Sequence, residues 1–157
     1  MSKATPATRA LTAAGVPFTV HGYDYDPDAE SIGLQAASAL GEDPARVLKT
    51  LMAVVDGKPV CVVVPSDREV SMKKLAAAVD GKSAQMMKPA EAERLTGFKV
   101  GGISPFGQRR PVRTVIEQSA LAHDHVYLNG GQRGLQVRLS PQDVRDAVKA
   151  IAADVIA

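Results

Sequence analysis

The most continuous apolar pattern in the chain is a pair of runs joined by Asp56-Gly57. The first run is Arg46–Val55 and the second is Val60–Pro65. Because an Asp-Gly pair tolerates the positive φ angles of a tight turn, the pattern predicts a β-hairpin. Little polar alternation interrupts either run, so we expect both faces to be covered and the hairpin to lie at the centre of a sheet.

Lys49 interrupts this apolar pattern. Strand alternation places it on the same face as Leu51, Ala53 and Val55. Burying an unpaired ammonium costs several kcal/mol or forces its pKa down. Two interpretations follow: a lysine at a strand end whose ammonium reaches water, or a functional cation beside an apolar wall.

The remaining pattern predicts alternating helices and strands in one domain, because no linker, repeat or low-complexity tract divides the chain. Capping residues, glycines and prolines predict helices over Thr5–Ala14, Ser31–Leu40, Met72–Val79 and Ala90–Thr96. A final helix is predicted to begin at Ser140-Pro141, and its apolar positions are Val144, Val148, Ile151 and Val155. Strands are predicted over Phe18–Tyr25, Ser83–Met87, Val112–Glu117, His125–Asn129 and Leu135–Leu139.

Two glycine-rich loops are the least ordinary segments. The stretch Thr96–Pro111 holds four glycines and two prolines in sixteen residues and leads into Arg109, Arg110 and Arg113. A shorter loop, Asn129–Gly134, joins two predicted strands. Glycines let a ligand approach the backbone, whose N–H groups can bind oxyanions, so the longer loop favours a binding site over a plain wide turn.

Composition narrows the function classes only slightly. The net charge of +2 and the pI of about 8.8 are compatible with an anionic partner but are weak evidence for one. No apolar run approaches the ~20 residues of a membrane span, and the N-terminus lacks the apolar core of a signal peptide. The single cysteine, Cys61, excludes an internal disulfide, favours a cytoplasmic location and fits a buried hydrophobic position better than a nucleophile.

Catalytic motifs of common hydrolases and nucleotide-binding enzymes are missing. The sequence has no Gly-x-Ser-x-Gly elbow, His-Glu-x-x-His, Walker lysine or dinucleotide fingerprint. His123-Asp124-His125 is the one triplet that suggests a metal, and with a single further histidine we interpret it as a loop. A lysine, two glycine-rich loops and scattered arginines suit the binding of an anionic substrate and the stabilisation of developing negative charge.

Three separated motifs resemble a known family. Arg46–Leu51, the Val100–Gly107 loop, and Asn129–Leu135 followed by Ser140–Asp143 are similar to the YbaK family of bacterial Cys-tRNA(Pro) deacylases, relatives of the editing domain inserted in bacterial prolyl-tRNA synthetases. The resemblance covers about Thr5 to the end. It implies an α+β fold, in which a single domain over residues 1–157 has a central mixed, strongly curved, barrel-like β-sheet flanked by helices.

The resemblance also implies the site residues. The family's essential lysine falls on Lys49 and its Gly-x-x-x-Pro loop on Gly101–Pro105, so Lys49 and Gly101 are the predicted catalytic residues. The predicted substrate-binding residues are Tyr23, Thr50, Gly102, Ile103, Ser104, Pro105, Asn129, Gly130 and Gly131. The predicted tRNA contacts are Arg109, Arg110 and Arg133, and no metal or cofactor is expected.

In the family the substrate's own thiol is thought to attack its ester, giving a cyclic thiolactone and free tRNA. The implied partners are the acceptor end of Cys-tRNA(Pro) and, as a candidate, prolyl-tRNA synthetase. Asn129 stands where the family often has serine, which leaves the amino-acid preference open. The alternatives are a deacylase for another mischarged tRNA such as Ala-tRNA(Pro), a non-catalytic binding module, and a structural partner of a synthetase.

Overall fold

The computed structural model describes residues 4–29 and 31–157, without the side chains of residues 32 and 33, and has an α+β fold. The helices are α1 (Pro6–Ala13), α2 (Ile32–Leu40), α3 (Met72–Ala78), α4 (Pro89–Thr96) and α5 (Pro141–Val148), with a 3-10 turn over Gln118–Ala122. The strands are β1 (Thr19–Gly22), β2 (Leu48–Val55), β3 (Lys58–Pro65), β4 (Ala84–Met86), β5 (Arg113–Glu117), β6 (Val126–Asn129), β7 (Leu135–Leu139) and β8 (Ile151–Ala153). None of the helices in these ranges is long and apolar enough to cross a bilayer.

The strands form two sheets. The larger sheet is mixed and has the order β4-β2-β3-β5-β8, whereas the smaller antiparallel sheet has the order β1-β7-β6. A single parallel bridge between Val47 and Tyr127 connects them. The expectation of one strongly curved, barrel-like sheet is therefore wrong, because one bridge is not a ladder and the larger sheet does not close on itself.

The predicted central hairpin is confirmed. β2 and β3 pair from Leu48–Pro65 to Val55–Lys58, and the two turn residues have positive φ angles of 50° at Asp56 and 81° at Gly57. Parallel pairing with β5 covers the outer edge of β3, while β4 covers only the end of β2 nearest the turn. Both faces of β3 are buried from Val60 onward, as the lack of polar alternation predicted.

Helix starts agree with the predicted caps. The predicted caps Ser31, Ser71 and Ser140 each accept a hydrogen bond from a backbone N–H in the first turn of the following helix. Thr5, predicted as the first residue of its helix, is the N-cap instead and accepts such a bond from Thr8. These bonds satisfy donors that the helix itself leaves free. α2 and α4 end at glycines in the left-handed conformation, as expected.

The predicted final helix is too long. The observed helix, α5, ends at Val148, and Lys149 adopts a left-handed φ of 51°. Ile151–Ala153 then forms β8, which pairs parallel with β5 and extends the larger sheet. Ile151 and Val155 therefore pack in the core through this edge segment and not through a helix face. The predicted strand Phe18–Tyr25 is also shorter, as β1 covers only Thr19–Gly22.

Candidate functional site

A pocket of about 300 Å³ lies along the edge of β2. Its wall combines residues of β2 with residues from the β4–α4 segment, the long glycine-rich loop, β6 and β7. The apolar part of the lining consists of Leu48, Leu51, Met52, Met86, Met87, Pro89, Ala92, Val100 and Ile103. The polar part consists of Ser31, Lys49, Thr50, Asn129 and Gln136, together with the backbone of Gly101.

The pocket lies where β6 and the β4–α4 segment, which bond to the same edge of β2, separate from each other. At one end, the Tyr127 N–H donates to the Arg46 carbonyl (2.8 Å). At the other end, the Met87 N–H donates to the Met52 carbonyl (3.1 Å). Backbone groups alternate in direction along a strand, so those of Thr50 point to the same side as Met52, into the gap. The pocket is therefore lined by an open strand edge as well as by side chains.

Of the described residues that line the pocket, Lys49 alone has a charged side chain. Its side chain is 20% exposed, and its Nζ lies 3.7 Å from Oε1 of Glu69, whose own side chain is 87% exposed. A long contact with a solvated carboxylate contributes little energy and is easily exchanged. The ammonium is thus half-buried at the pocket wall and free to turn toward an anionic ligand.

Gly101 faces the same pocket in a conformation that suits glycine. Its φ is 90°, and a Cβ at this position would lie 2.8 Å from the Tyr25 hydroxyl oxygen. The Arg133 Nε donates to the carbonyl of Val100 (2.9 Å), and the Asn129 Nδ2 donates to the carbonyl of Gly101 (3.0 Å). These bonds fix the loop, so the backbone at Gly101 is presented to the pocket in a defined orientation.

Asn129 cross-links the two glycine-rich loops. Besides its bond to Gly101, its Oδ1 accepts hydrogen bonds from the N–H groups of Gly131 (2.7 Å) and Gln132 (3.1 Å). A serine side chain is shorter and has one hydroxyl for all of these bonds, whereas the carboxamide has a separate donor and acceptor. The asparagine therefore acts on the shape of the pocket through the backbone that it holds.

Gln136 was not predicted from the sequence. It lies on β7 opposite Asn129 of β6 and lines the pocket, yet only 3% of it is exposed. The alternation of Leu135–Leu139 placed it on the face away from the main core, where a polar residue normally faces water. The segments around the pocket cover this face, and no pattern within β7 itself reveals that.

Comparison with known proteins assigns the chain to a family. A model of the aminoacyl-tRNA editing domain matches residues 26–147, which include all the polar residues that line the pocket. The chain belongs to this family. EbsC of Enterococcus faecalis, whose name proposes a Cys-tRNA(Pro)/Cys-tRNA(Cys) deacylase activity for it, is 30% identical over 144 residues, covering 89% of this chain and 85% of EbsC.

Two further relatives place the editing domain in context. A proline–tRNA ligase of Nitratidesulfovibrio vulgaris is 29% identical over 129 residues, which is 82% of this chain but only 21% of the ligase. The crystal structure of a protein described as a candidate trans-editing enzyme for prolyl-tRNA synthetase has a TM-score of 0.79 at 22% identity. That alignment covers 98% of this chain and 99% of the other, so the two share their fold over nearly their whole lengths.

The predicted site residues of the editing domain separate into two groups. Lys49, Thr50, Gly101, Ile103 and Asn129 are brought together around the pocket. The others are not among the lining residues: Tyr23, Gly102, Ser104, Pro105, Gly130 and Gly131.

Two members of the second group, Gly102 and Ser104, stabilise the long glycine-rich loop from outside the pocket. The Gly102 N–H donates to the Lys99 carbonyl (2.8 Å), and a Cβ on Gly102 would lie 3.0 Å from the backbone nitrogen of Arg133. Ser104 is fully buried and accepts a hydrogen bond from the Phe106 N–H (3.2 Å). Pro105 lines a second cavity that shares no residue with the pocket. Gly101 is therefore the glycine of its pair that faces the pocket.

The predicted tRNA-contacting arginines have different environments. Arg133 stacks over the Tyr25 ring, with its Cζ 5.4 Å from the ring centroid, and its Nε is already used to hold the loop. Arg109 lies against Gly97 at the end of α4, and its Nη1 donates to the Arg94 carbonyl (3.4 Å). Arg110 is exposed. All three arginines remain predicted tRNA contacts, and the structure shows that Arg133 also supports the loop.

No group of three or more histidine, cysteine, aspartate or glutamate side chains with metal-binding geometry occurs in residues 4–29 and 31–157. In the His123-Asp124-His125 triplet, His125 Nδ1 lies 2.8 Å from Asp124 Oδ1 and its Nε2 lies 3.3 Å from Glu42 Oε1. His125 thus links the triplet to Glu42, just after α2, through one contact between the two side chains.

We expect Cys61 to be unreactive in the folded protein. It is completely buried in the core, and burial raises the pKa of its thiol to about 12. Because the thiolate is the reactive form, a thiol reagent at neutral pH should modify Cys61 only after unfolding. Mass spectrometry of iodoacetamide-treated protein, with and without denaturant, checks this. Rapid labelling of the native protein would contradict the buried position.

We expect Asn129→Ala to weaken the pocket more than the fold. The change removes one hydrogen bond between the loops and two within the Asn129–Gly134 loop, which predicts a loss of about 1–3 kcal/mol in the free energy of unfolding. Deacylation should fall more than stability alone explains, because Gly101 loses its orienting bond. Denaturant unfolding and the deacylation rate, measured on the same preparation, separate the two effects. The loop hypothesis is wrong if the activity of the folded variant equals that of the wild type.

Proposed function

We propose that this editing domain removes cysteine from Cys-tRNA(Pro), with the substrate's own thiol as the nucleophile. The observation that carries the proposal is the meeting of Lys49 and Gly101 at one pocket whose described lining contains no histidine, cysteine, aspartate or glutamate. Ser31 and Thr50 supply hydroxyls, but a hydroxyl without an adjacent base is a weak nucleophile. The pocket is suited to positioning an ester and stabilising charge more than to attacking it.

In the proposed reaction, the cysteine sulfur attacks the carbonyl carbon of its own ester and forms a C–S bond. The C–O bond to the terminal ribose breaks, the thiol proton passes to the ribose oxygen, and the products are a cyclic thiolactone and free tRNA. Negative charge develops on the carbonyl oxygen before the C–O bond breaks. A cation and fixed backbone groups aimed at that oxygen lower the barrier without changing their own bonding.

Lys49 and the Gly101 backbone are the groups proposed to act on that charge. Within the described part of the chain, the Lys49 ammonium pairs with the solvated Glu69 carboxylate, so contact with the substrate carbonyl or the terminal phosphate replaces a weak interaction. The loop around Gly101 is fixed by Asn129 and Arg133, so little reorganisation is needed when the ester binds.

The shape and polarity of the pocket agree with a small aminoacyl group. A volume of about 300 Å³ is at the lower end for ligand sites. Three methionine side chains, Met52, Met86 and Met87, line it and provide a polarizable surface that packs well against sulfur or a methyl group. The acceptor end of the tRNA is the proposed partner, and prolyl-tRNA synthetase is a candidate source of tRNA selectivity.

The test compares the release of amino acid from Cys-tRNA(Pro) and Ala-tRNA(Pro). Faster release of cysteine, with thiolactone among the products, supports substrate-assisted cleavage. Faster release of alanine indicates a water-dependent deacylase for Ala-tRNA(Pro), because alanine has no thiol. If the wild type matches buffer with both substrates while still binding tRNA, the domain is a binding module and the proposal fails.

A further inference from the structure

Three buried polar atoms lack a hydrogen-bond partner in the described part of the chain. They are Oη of Tyr23, Oγ1 of Thr50 and Oε1 of Gln136. An unpaired buried polar group costs about 1–3 kcal/mol, a cost that disappears when a ligand supplies the missing bond. Several such atoms in one place therefore indicate where a polar ligand group binds.

Two of these atoms belong to residues that line the pocket, and the third lies behind one of them. Thr50 and Gln136 both line the pocket, from β2 and β7. Tyr23 lies beside Gln136: burial raises the pKa of the Tyr23 hydroxyl, and the nearby Gln136 side chain partly offsets that rise, although no hydrogen bond of acceptable geometry joins the two. Gln136 is 97% buried, since only 3% of it is exposed, so its carboxamide is held by its surroundings.

The neighbours of Gln136 place this polar cluster close to the Gly101 loop. Gln136 pairs with His21 of β1 on one side and with Asn129 of β6 on the other. Directly opposed residues on neighbouring strands have Cβ atoms about 4.5–5.5 Å apart. Because the Asn129 side chain reaches the Gly101 carbonyl, a group bound at Gln136 lies within a few ångströms of the loop proposed to face the ester.

Charge decides which ligand group fits. Among the residues that the structure describes along the pocket, Lys49 is the one cation and none is a carboxylate. An ammonium ion there would be desolvated beside a like charge without a counter-ion, which is strongly unfavourable. An uncharged amine can instead donate to the Gln136 carbonyl oxygen and to Thr50. An α-amino group has a pKa of about 7.7–8.0, so its neutral form is accessible near neutral pH.

We propose that Gln136, together with Thr50, forms the subsite for the substrate's α-amino group and binds it as the uncharged amine. Gln136 is then a specificity-determining residue that distinguishes an aminoacyl ester from an acyl ester without the amine. The inference depends on the proposed function, since it assigns a part of the same pocket to a part of the aminoacyl group.

The first experiment combines a change in the enzyme with a change in the substrate. Deacylation of Cys-tRNA(Pro) is compared with that of 3-mercaptopropionyl-tRNA(Pro), which lacks the amine, for the wild type, Gln136→Leu and the exposed control Gln85→Leu. In the wild type and the control, loss of the amine should lower kcat/KM by about ten-fold, the value of one hydrogen bond. In Gln136→Leu the two substrates should react at similar rates. The same ten-fold ratio in Gln136→Leu would overturn the proposal.

The second experiment tests the charge state by binding, without any reaction. Isothermal titration calorimetry measures 3′-alanylamido-adenosine, in which an amide replaces the ester, and its propionyl counterpart. Wild-type affinity for the alanyl compound should weaken as the pH falls through the pKa of its amine, while the propionyl compound shows no such change. Gln136→Glu adds a counter-ion and should move the best binding of the alanyl compound to lower pH. Equal pH dependence in both proteins, or no binding of either compound, would overturn the proposal.

The two readouts separate the inference from the proposed function. Amine-dependent binding that requires Gln136, without deacylation of any tested tRNA, would remove the proposed function and leave the subsite in place. Deacylation at the same rate with and without the amine would remove the subsite and leave the proposed function in place. Thermal unfolding of Gln136→Leu and Gln136→Glu establishes that each variant is folded before either comparison.

Discussion

Replacing Lys49 with methionine should lower the rate of Cys-tRNA(Pro) deacylation by about 10²–10³-fold, the usual effect of removing one group that stabilises an oxyanion. Methionine keeps an unbranched apolar stem, so the packing beside Leu51 should survive. The loss of the long ion pair with the exposed Glu69 should change the free energy of unfolding by less than about 1 kcal/mol. Single-turnover deacylation and denaturant unfolding measure the two quantities.

A control lysine lies on the same hairpin. Lys58 is exposed at the start of β3, so Lys58→Met removes an equal charge without touching the pocket. Its activity should remain close to that of the wild type. Lys49→Arg keeps the charge in a broader, planar group and should recover only part of the activity. Full activity in Lys49→Met would show that the ammonium is merely a strand-end charge and would remove the main support for the proposed chemistry.

Gly101→Ala should also abolish most of the activity, for a steric reason. The φ of 90° disfavours any residue with a Cβ, a strain of about 1–3 kcal/mol, and the new methyl group would lie 2.8 Å from the Tyr25 hydroxyl oxygen. Relief of that contact must move the loop itself or the tyrosine, and the Tyr25 ring stacks with Arg133, which holds the Val100 carbonyl of the same loop. We expect a fall in kcat/KM of at least about ten-fold, because misplacing a positioning element by 1 Å costs up to 10²-fold.

Two further variants separate strain from the clash. Gly57 in the hairpin turn has a φ of 81° and open space around its Cβ position, so Gly57→Ala introduces comparable strain away from the pocket. It should lower stability without a matching loss of activity. Adding Tyr25→Phe to Gly101→Ala removes the hydroxyl and should restore part of the activity. If the double variant is no better than Gly101→Ala, the clash with Tyr25 is not the cause.

Several elements followed from short-range sequence signals. Asp56-Gly57 between two β-branched runs predicted the central hairpin, because the turn chemistry and the strand pattern are both encoded within about twenty residues. Serine caps predicted the starts of three helices for the same reason. The motif around Lys49 and the two glycine-rich loops indicated the family, and the structure brings Lys49, Thr50, Gly101, Ile103 and Asn129 to one pocket.

Other features depend on long-range contacts, and local reasoning failed there. Ile151 and Val155 continue the helical spacing of α5, but the unpaired edge of β5 offers backbone hydrogen bonds that a longer helix would not satisfy. The same limit applies to the curvature of the sheet. A single bridge at Val47 joins the two sheets, and nothing in the pattern of the individual strands predicts how far they diverge.

The sequence by itself determined the hairpin, the capped helices and the residues from which a family resemblance is read, since each of these depends on neighbours along the chain. Only the tertiary structure decided that Asn129 links the loops and that Gln136 is buried with an unpaired oxygen. Both outcomes arise from the gap between Tyr127 and Met87 along β2, which forms when segments far apart in sequence pack together. Burial and hydrogen bonding of a polar side chain are properties of that packing and have no local signature.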